Sequence, residues 1–513
     1  MMEKLLSRID ACNYPVQAKL FFYKVGVISR LRWYFMIYER ISDTTANDLQ
    51  AIGMRHIKHW LACSKKTCPD LISSRERGMG IDSICLIHKQ TRALHISLGL
   101  KSADPVTVGA FTHRANTATK YNGQEVAFTK TLPTTNKSKT AIRDHFTKAY
   151  NAEEMDRMTD TKAKYAKWVW AITDPDSLEI WRKLLQEDLD ENLLPPTLHL
   201  ASGGSSFWSW FYAKEKDTNR TNGNTGRGRR CPLCTSTGHL SHFLNFCKDP
   251  RGLERMKYRH NLVVRKLLEN VLGSPKIHKL WAVYADLDGC PAPHETITGW
   301  LTPAENAKDQ RPDIIITYLD DEGYPHMLIL EVCCSFEHQN LENINQSYMR
   351  KLRKYEAIPA KLMNPGRQQS FPFSSVDYHP IIFGSRGFVP TQTLKHLADV
   401  FSGSANAKTL VMTAARECAK EAIIGSIQIA RQATCTEFHP IPARAVFPGT
   451  MVANIIRSGP DVEIQHGQRA PPANIPLGSL LPASAPHSSD DDSSEPSEPS
   501  SSSDDEVELP ERP

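Results

Sequence analysis

Apolar residues recur at helical spacing in several parts of the chain. In residues 43–62 they form one stripe, and Ser42 or Asp43 can cap the helix that this stripe predicts. The same character returns in residues 166–196, 255–272, 341–358 and 391–432. The segment 255–272 is also rich in basic residues. These patterns predict a helical N-terminal part, and further helices between and after the strands described next.

The stretch RPDIIITYLDDEGYPHMLILEVCC, residues 311–334, contains two nearly continuous apolar runs separated by polar turn residues. Such runs are typical of buried strands, and Asp, Glu, Gly and Pro between them favour a hairpin turn. If the turn centres on Glu322, Asp313 lies directly opposite Glu331. A shift of one residue would move one of them to the other face. The stretch DYHPIIFGSRGFVP at 377–390 predicts a further strand and turn.

Two acidic residues therefore meet at one edge of the predicted hairpin. Side chains that are directly paired have Cβ atoms ~5 Å apart, so the carboxylates of Asp313 and Glu331 repel each other unless a cation lies between them. Mg²⁺ takes oxygen ligands, can polarise a phosphodiester and helps to generate hydroxide. We predict a catalytic Mg²⁺ site here. Lys351 and Lys354 are the candidates to stabilise phosphate charge, and Lys351 is favoured because it borders the apolar stripe of its helix.

A second signature overlaps the same hairpin. Tyr318-Leu319-Asp320-Asp321 resembles the Tyr-x-Asp-Asp turn of a reverse transcriptase. A polymerase needs a third carboxylate on an earlier strand of a larger domain, whereas a cysteine–histidine cluster and a basic helix precede this turn. We therefore expect Asp320 and Asp321 to be turn residues.

The stretch CPLCTSTGHLSHFLNFC, residues 231–247, has the spacing C-x2-C-x7-H-x4-C. Four such ligands complete a closed, tetrahedral and therefore structural zinc site. The predicted ligands are Cys231, Cys234, His242 and Cys247. His239 is a rival to His242. We favour His242 because it leaves four apolar residues free to pack a small core, namely Leu240, Phe243, Leu244 and Phe246.

Charge and composition narrow the class of protein. The net charge of the 513-residue chain is +5, but residues 481–513 carry −9, which leaves +14 on residues 1–480. A basic body favours a nucleic-acid partner. No run of eighteen apolar residues predicts a membrane span, and the polar start does not resemble a signal peptide. The twelve cysteines are then expected to be reduced thiols or metal ligands.

Taken in order, these motifs resemble the C-terminal half of a site-specific non-LTR retrotransposon protein with a restriction-like endonuclease. The resemblance spans roughly residues 1–400. It rests on MGIDSI at 79–84, the C-x2-C-x7-H-x4-C spacing at 231–247 (the zinc knuckle), KYRHNLVVRKL at 257–267, RPDI with LEV, KLRKY at 351–355 and FGSRGFVP at 383–390. Two features depart from the family: no polymerase palm is present, and the second acid is a glutamate where many relatives carry aspartate.

The resemblance implies an α+β multidomain protein with a PD-(D/E)XK-type α/β nuclease core. We expect the following parts: a helical thumb-like region at 1–110, a helical connector and basic linker at 111–230, the zinc knuckle at 231–250, the endonuclease domain at 251–400, a helical extension at 401–445 and a disordered acidic tail at 446–513. The implied function is Mg²⁺-dependent nicking of target DNA for target-primed reverse transcription. Element RNA is a candidate further partner, and the inferred substrate implies a nuclear location. The alternative is a non-catalytic nucleic-acid-binding or domesticated zinc-knuckle protein.

Overall fold

The computed structural model shows a mostly helical α+β protein with a small mixed sheet. It describes residues 2–38, 41–65, 67–117, 138–159, 166–203, 231–234, 236, 238–277, 279–288, 290, 311–363, 373–433, 435 and 437–440. The predicted basic linker at 216–230 and the acidic tail from 446 lie outside these ranges. No helix among the described residues is both long and apolar enough to cross a bilayer.

The N-terminal part of the chain is helical, as its apolar spacing predicts. Its helices are α1 Met2–Ala11, α2 Val16–Phe22, α3 Ser29–Ile37, α4 Asp43–Trp60, α5 Pro69–Ser73, α6 Ile84–Leu100, α7 Pro105–Thr117, α8 Ser138–Thr159, α9 Lys167–Trp170, α10 Pro175–Lys183 and α11 Leu194–Ser202. Wider π-helical turns at Tyr23–Ile28 and Leu184–Asp188 continue α2 and α10. Of the two candidate caps of α4, Ser42 does the capping, because its hydroxyl accepts a hydrogen bond from the Thr45 amide at 3.1 Å.

Helix α8 lies within the helical connector predicted at 111–230, in a polar stretch whose sequence shows only a weak pattern. Ile142 and Phe146 are buried on one side of α8, where they pack with Leu86 and Ala93 of α6. Among the described side chains of this 22-residue helix, the buried apolar ones are Ile142, Phe146 and Met158, which give little periodic signal in an otherwise polar stretch. The helix is therefore stabilised by its packing on α6 rather than by its own sequence pattern.

The second part of the chain builds the sheet and the helices around it. Its elements are α12 Pro250–Leu272, β1 Lys279–Ala285, β2 Ile314–Leu319, β3 Pro325–Ser335, α13 Glu342–Tyr355, α14 Ala357–Leu362, β4 Ser375–Gly384, α15 Thr391–Val400 and α16 Ala407–Arg431. β2, β3 and β4 match the three predicted strands. β1 was not predicted, because the short segment KLWAVYA lacks clear period-two alternation.

The sheet has the order β1-β2-β3-β4, with two antiparallel ladders and a parallel pairing of β3 with β4. In the hairpin, Ile314 pairs with Leu330 and Leu319 with Pro325, so the turn centres on Glu322. The predicted register is thereby confirmed. One step beyond the first pair, Asp313 and Glu331 stand opposite each other at the start of β2.

Both faces of the sheet are covered, which explains why its strands are apolar at nearly every position. One face joins the main core, to which Ile314, Ile316 and Leu330 belong. The other face holds a smaller cluster that includes Ile315, Ile329, Tyr355 and Ile358. Helices α12 and α16 pack closely on the main-core side. A Cβ atom at Gly425 of α16 would lie 2.5 Å from Cγ of Arg259, so this contact requires glycine.

A buried ion pair joins the end of β3 to the turn after β4. Glu337 is fully buried, and its carboxylate accepts hydrogen bonds from Ser385 Oγ (3.1 Å), Arg386 N (2.7 Å) and Nε (3.3 Å), and Phe388 N (3.3 Å). The guanidinium of Arg386 lies between the rings of Trp168 and Phe336, at 4.8 and 4.4 Å from their centroids. The motif FGSRGFVP is thus explained as the set of hydrogen-bond donors, with one positive charge, that satisfies a buried carboxylate.

Candidate active site and metal centre

The four predicted zinc ligands lie together in the structure. Cys234 Sγ is 3.2 Å from His242 Nε2 and 3.8 Å from Cys247 Sγ, and Cys231 Sγ is 3.9 Å from Cys247 Sγ. All four ligand atoms lie within 4.8 Å of one another. His239, the rival ligand, is exposed and is not part of the group. A group of three cysteines and one histidine at these distances could hold a structural zinc ion.

The chemistry of the donors fits such an ion. Burial raises the pKa of the Cys247 thiol to about 12, so only a bound cation would keep it as a thiolate at neutral pH. Burial also lowers the pKa of His242, which favours the neutral imidazole that binds metals. Gly252 of α12 lies against the group, and a Cβ atom there would stand 2.6 Å from Cys247 Sγ. The start of α12 therefore fits only with glycine at this position.

The knuckle does not have the small separate core that its sequence predicts. Leu240, Phe243 and Leu244 are buried, but they belong to the main core, and Phe246 is 50% exposed. The side chain of Asn245 donates a hydrogen bond to the carbonyl of Cys334 on β3 at 2.7 Å. The knuckle is therefore part of the packing around the sheet, which frees Phe246 from a role in the core.

Asp313 lies just before β2 and is held by three groups. Its Oδ2 accepts a hydrogen bond from the Val332 amide at 2.6 Å, and its Oδ1 is 3.2 Å from Nε2 of His260 on α12. Its carbonyl oxygen accepts from the Asp286 amide at 2.9 Å, which joins it to the end of β1. Asp313 is 8% exposed and Glu331 is 2% exposed. The hairpin register thus places two carboxylates in a nearly buried site.

Glu331 has one partner and one unsatisfied oxygen. Its Oε1 forms an ion pair with Nζ of Lys351, which reaches inward from α13. Its Oε2 is buried and accepts no hydrogen bond of ordinary length and angle among the described residues, although the Tyr355 hydroxyl, which donates to Arg311, lies near the carboxylate. A buried carboxylate oxygen that the protein leaves unsatisfied is uncommon and is a candidate ligand position. Lys354, the other predicted lysine, lies over the ring of Tyr355 at 5.1 Å from its centroid and does not contact Glu331.

The two neighbouring acids shift the pKa values of the groups in this site. Burial and then the charge of Asp313 raise the pKa of Glu331 to about 7, against the opposing effect of Lys351. Burial disfavours the charged forms of Lys351 and His260, but the adjacent carboxylates of Glu331 and Asp313 outweigh it, so the pKa of each base is raised. The cluster therefore concentrates both signs of charge where little water can screen them.

Two tyrosines fix the helix that carries Lys351. The hydroxyl of Tyr378 on β4 donates to the carbonyl of Lys351 at 2.9 Å, and that of Tyr355 donates to the carbonyl of Arg311 at 3.0 Å. Burial, followed by the negative charges of the two acids, raises the pKa of both hydroxyl groups. They therefore stay protonated and keep their hydrogen bonds. The position of Lys351 thus depends on β4 as well as on α13.

The aspartates of the polymerase-like turn form no second site. Asp320 Oδ1 accepts from the Tyr324 amide at 2.7 Å, and its Oδ2 is 2.9 Å from His326 Nε2. The carboxylate of Asp321 is 84% exposed. Their hydrogen bonds explain them as turn residues. They lie at the far end of β2 from Asp313, roughly 20 Å away at the usual rise of a strand.

His260 is the site residue that sequence reasoning missed. Its Nε2 lies between Asp313 Oδ1 and the Val332 carbonyl, the latter at 3.3 Å, and its ring is positioned by α12. The signal was its place within KYRHNLVVRKL, a stretch that we interpreted only as a basic helix. Arg255 and Arg259 of the same helix are buried rather than available to a ligand. The basic character of α12 thus serves the interior as much as the surface.

Comparison with models of known families finds none that matches this chain, and no curated protein matches it either. The fold and the site define its class in coarser terms. It is a mostly helical α+β protein with a small mixed sheet and a Cys3His group that could bind zinc. The boundaries of the six predicted parts stay predictions, as do the roles of Asp313, Glu331, Lys351 and Lys354.

Proposed function

We propose that the chain is a Mg²⁺-dependent DNA endonuclease with a PD-(D/E)XK-type core. The observation that carries the proposal is the pair Asp313 and Glu331, buried side by side with one carboxylate oxygen unsatisfied and Lys351 beside it. A cation at Glu331 Oε2 and Asp313 would offset the burial and the repulsion that together raise the pKa of Glu331.

The residues of the site divide the work of hydrolysis among them. Asp313 and Glu331 would hold the ion, which when bound polarises the phosphodiester and lowers the pKa of a bound water. Lys351 is cationic and would stabilise negative charge on the scissile phosphate once it releases Glu331 to the ion. His260 orients Asp313 by its contact with Oδ1. The bond broken is a phosphorus–oxygen bond, and water supplies both the attacking oxygen and the proton of the leaving hydroxyl.

The wider features support DNA as the substrate. Residues 1–480 carry a charge of +14, which favours a phosphate backbone as the partner. A Cys3His knuckle packed against the sheet could help to grip the duplex. By resemblance, we propose that the nick primes reverse transcription in a non-LTR retrotransposon protein, that element RNA is a further partner and that the chain acts in the nucleus.

The test is nicking of supercoiled plasmid by the full chain with and without Mg²⁺. We expect wild type to nick only with Mg²⁺, Asp313→Asn to lose nicking by about 1,000-fold, and the double variant Asp320→Asn/Asp321→Asn to act like wild type. The matched pair compares the two acidic signatures of one hairpin. Loss of nicking only in the double variant of the turn would mean that Asp320 and Asp321, and not Asp313 and Glu331, are the catalytic carboxylates. A folded wild type that retains zinc and binds DNA without nicking it would favour the non-catalytic alternative.

A further inference from the structure

A second group of metal-binding side chains lies where β4 meets α15. His379 is on β4 and is 8% exposed, whereas His396 and Asp399 are on α15, three residues apart and therefore on one face. One ligand atom of each lies within 4.8 Å of the others. None of these residues belongs to the Cys3His group or to the Asp313–Glu331 site. The group thus calls for its own explanation.

The two imidazole rings face each other through the same type of nitrogen. Nδ1 of His379 is 3.0 Å from Nδ1 of His396, and Nε2 of His396 is 3.1 Å from Oη of Tyr348 on α13. Burial, and then the proximity of His396, lowers the pKa of His379 to about 4, and burial lowers that of His396. A divalent ion would use the lone pair of each Nδ1, while His396 Nε2–H donates to Tyr348.

We propose that His379, His396 and Asp399 form a second metal site, for a divalent first-row transition ion such as Zn²⁺. Imidazole nitrogen and carboxylate oxygen suit these ions, and a hydrogen bond from the distal nitrogen of a ligating histidine is their usual outer shell. Three protein ligands leave one coordination position open. Because the carboxylate of Asp399 is exposed, an ion bound here would exchange with ions in solution. A zinc ion enclosed by the four knuckle ligands would exchange more slowly.

Metal at this site would fasten α15 to the last strand of the sheet. His379 pairs in register with Leu330, the residue before Glu331. Because successive residues of a strand alternate, His379 and Glu331 lie on opposite faces of the sheet. Tyr348, which contacts His396, is one turn before Lys351 on α13. Occupancy would thus stiffen the elements that support the candidate active site, while the proposed metal binding itself does not depend on nuclease activity.

The test measures zinc content of the full chain at buffered free Zn²⁺ and repeats the titration with Co²⁺. We expect wild type to bind one equivalent at low free zinc and a second at micromolar levels. Cobalt in the knuckle gives intense thiolate-to-metal absorption, whereas the second equivalent should add only weak visible bands. Asp399→Asn should weaken the second equivalent at least 10-fold, Tyr348→Phe should weaken it roughly 10-fold, and His379→Asn/His396→Asn should abolish it.

The control is His239→Asn, which removes an exposed histidine close to the knuckle and should leave both equivalents intact. Asp399→Asn keeps the test decisive if the double histidine variant does not fold, because Asp399 is exposed; circular dichroism checks both variants. A wild type that binds only one equivalent would overturn the proposal. So would a second equivalent that persists unchanged in a folded Asp399→Asn or double histidine variant.

Discussion

Glu331 lies within β3 and Glu337 lies two residues beyond its end; both are buried, yet their surroundings differ. Glu337 accepts four hydrogen bonds on its two carboxylate oxygens and pairs with Arg386, which is itself held between two aromatic rings. Glu331 has one lysine partner, an acidic neighbour and an oxygen with no partner. The protein satisfies both carboxylate oxygens of Glu337, but only one carboxylate oxygen of Glu331 has a partner.

The difference separates a structural charge from a candidate functional one. A buried ion pair contributes to a unique packing only if its polar atoms are satisfied, as they are around Glu337. Around Glu331, burial and then the repulsion from Asp313 raise the pKa of the carboxyl group, so its charged form is favoured only when a further cation is bound. Removing groups at Glu337 should therefore affect stability, and removing groups at Glu331 should affect activity.

Arg386→Met should produce the largest change in stability. It leaves Glu337 buried without its partner and removes the cation between Trp168 and Phe336, so we expect the free energy of unfolding to fall by about 3–5 kcal/mol. The measurement is the urea midpoint of the full chain. Arg353→Met, on the exposed face of α13, is the control and should change the free energy by less than about 0.5 kcal/mol. Similar losses in both variants would contradict the role given to the buried pair.

Lys351→Met should have the next largest effect, on nicking rather than on stability. Removal of a cation that stabilises developing charge should slow nicking by about 100-fold. Lys354→Met, three residues further along the same helix, is the matched control. Its nicking rate should stay within a few-fold of the wild-type rate, since Lys354 lies over the ring of Tyr355 and not at Glu331. Plasmid nicking rates at saturating Mg²⁺ measure both. A greater loss in Lys354→Met would reverse the assignment of the lysine.

His260→Gln should have a smaller effect that depends on Mg²⁺. His260 acts through Asp313, so its loss should weaken Mg²⁺ activation roughly 10-fold, and high Mg²⁺ should restore most of the rate. His326→Gln is the control, because His326 makes the corresponding contact to Asp320 in the turn. It should leave the Mg²⁺ dependence unchanged. A rate deficit in His260→Gln that no Mg²⁺ concentration reduces would argue against a positioning role.

The pH dependence of stability should show the smallest effect. The folded-state pKa of Glu331 is about 7, above its ordinary value of 4.5, so the folded protein retains a proton that the unfolded chain has released. Its contribution to stability is therefore lost as pH rises from about 4.5 through 7. Without added Mg²⁺, Glu331→Gln should raise the melting temperature more at pH 8 than at pH 5, while the exposed control Glu342→Gln should not. An equal effect of Glu331→Gln at both pH values would contradict this interpretation.

Local patterns were sufficient to predict much of the candidate site. Strand periodicity and a turn centred on Glu322 placed Asp313 opposite Glu331, and helical spacing favoured Lys351 over Lys354. His242 was favoured over His239 because it left four apolar residues free to pack, and it does lie with the three cysteines, although Phe246 is not part of any core. Each of these relations lies within about forty residues of chain, where the geometry of one or two elements decides which side chains meet.

The rest depends on packing between distant segments. His260 meets Asp313 because α12 lies across the sheet, and Glu337 meets Arg386 because β4 returns beside β3. No periodicity in the sequence specifies either contact. The exposure of Phe246 has the same cause, since the knuckle shares the main core instead of building its own. Sequence patterns therefore predicted elements and local pairs, but not the partners that complete the buried charges.

The close approach of the three knuckle thiols has a consequence for the chemistry of the metal-free protein. Their sulfur atoms are separated by 3.8 and 3.9 Å, which is within about 2 Å of a disulfide bond. A zinc ion here would act as a protecting group, because each thiolate bound to metal is withheld from oxidants. Once the ion is removed in air, dioxygen can oxidise neighbouring thiols of this group to a disulfide. Re-addition of zinc would then restore the knuckle only after a reductant.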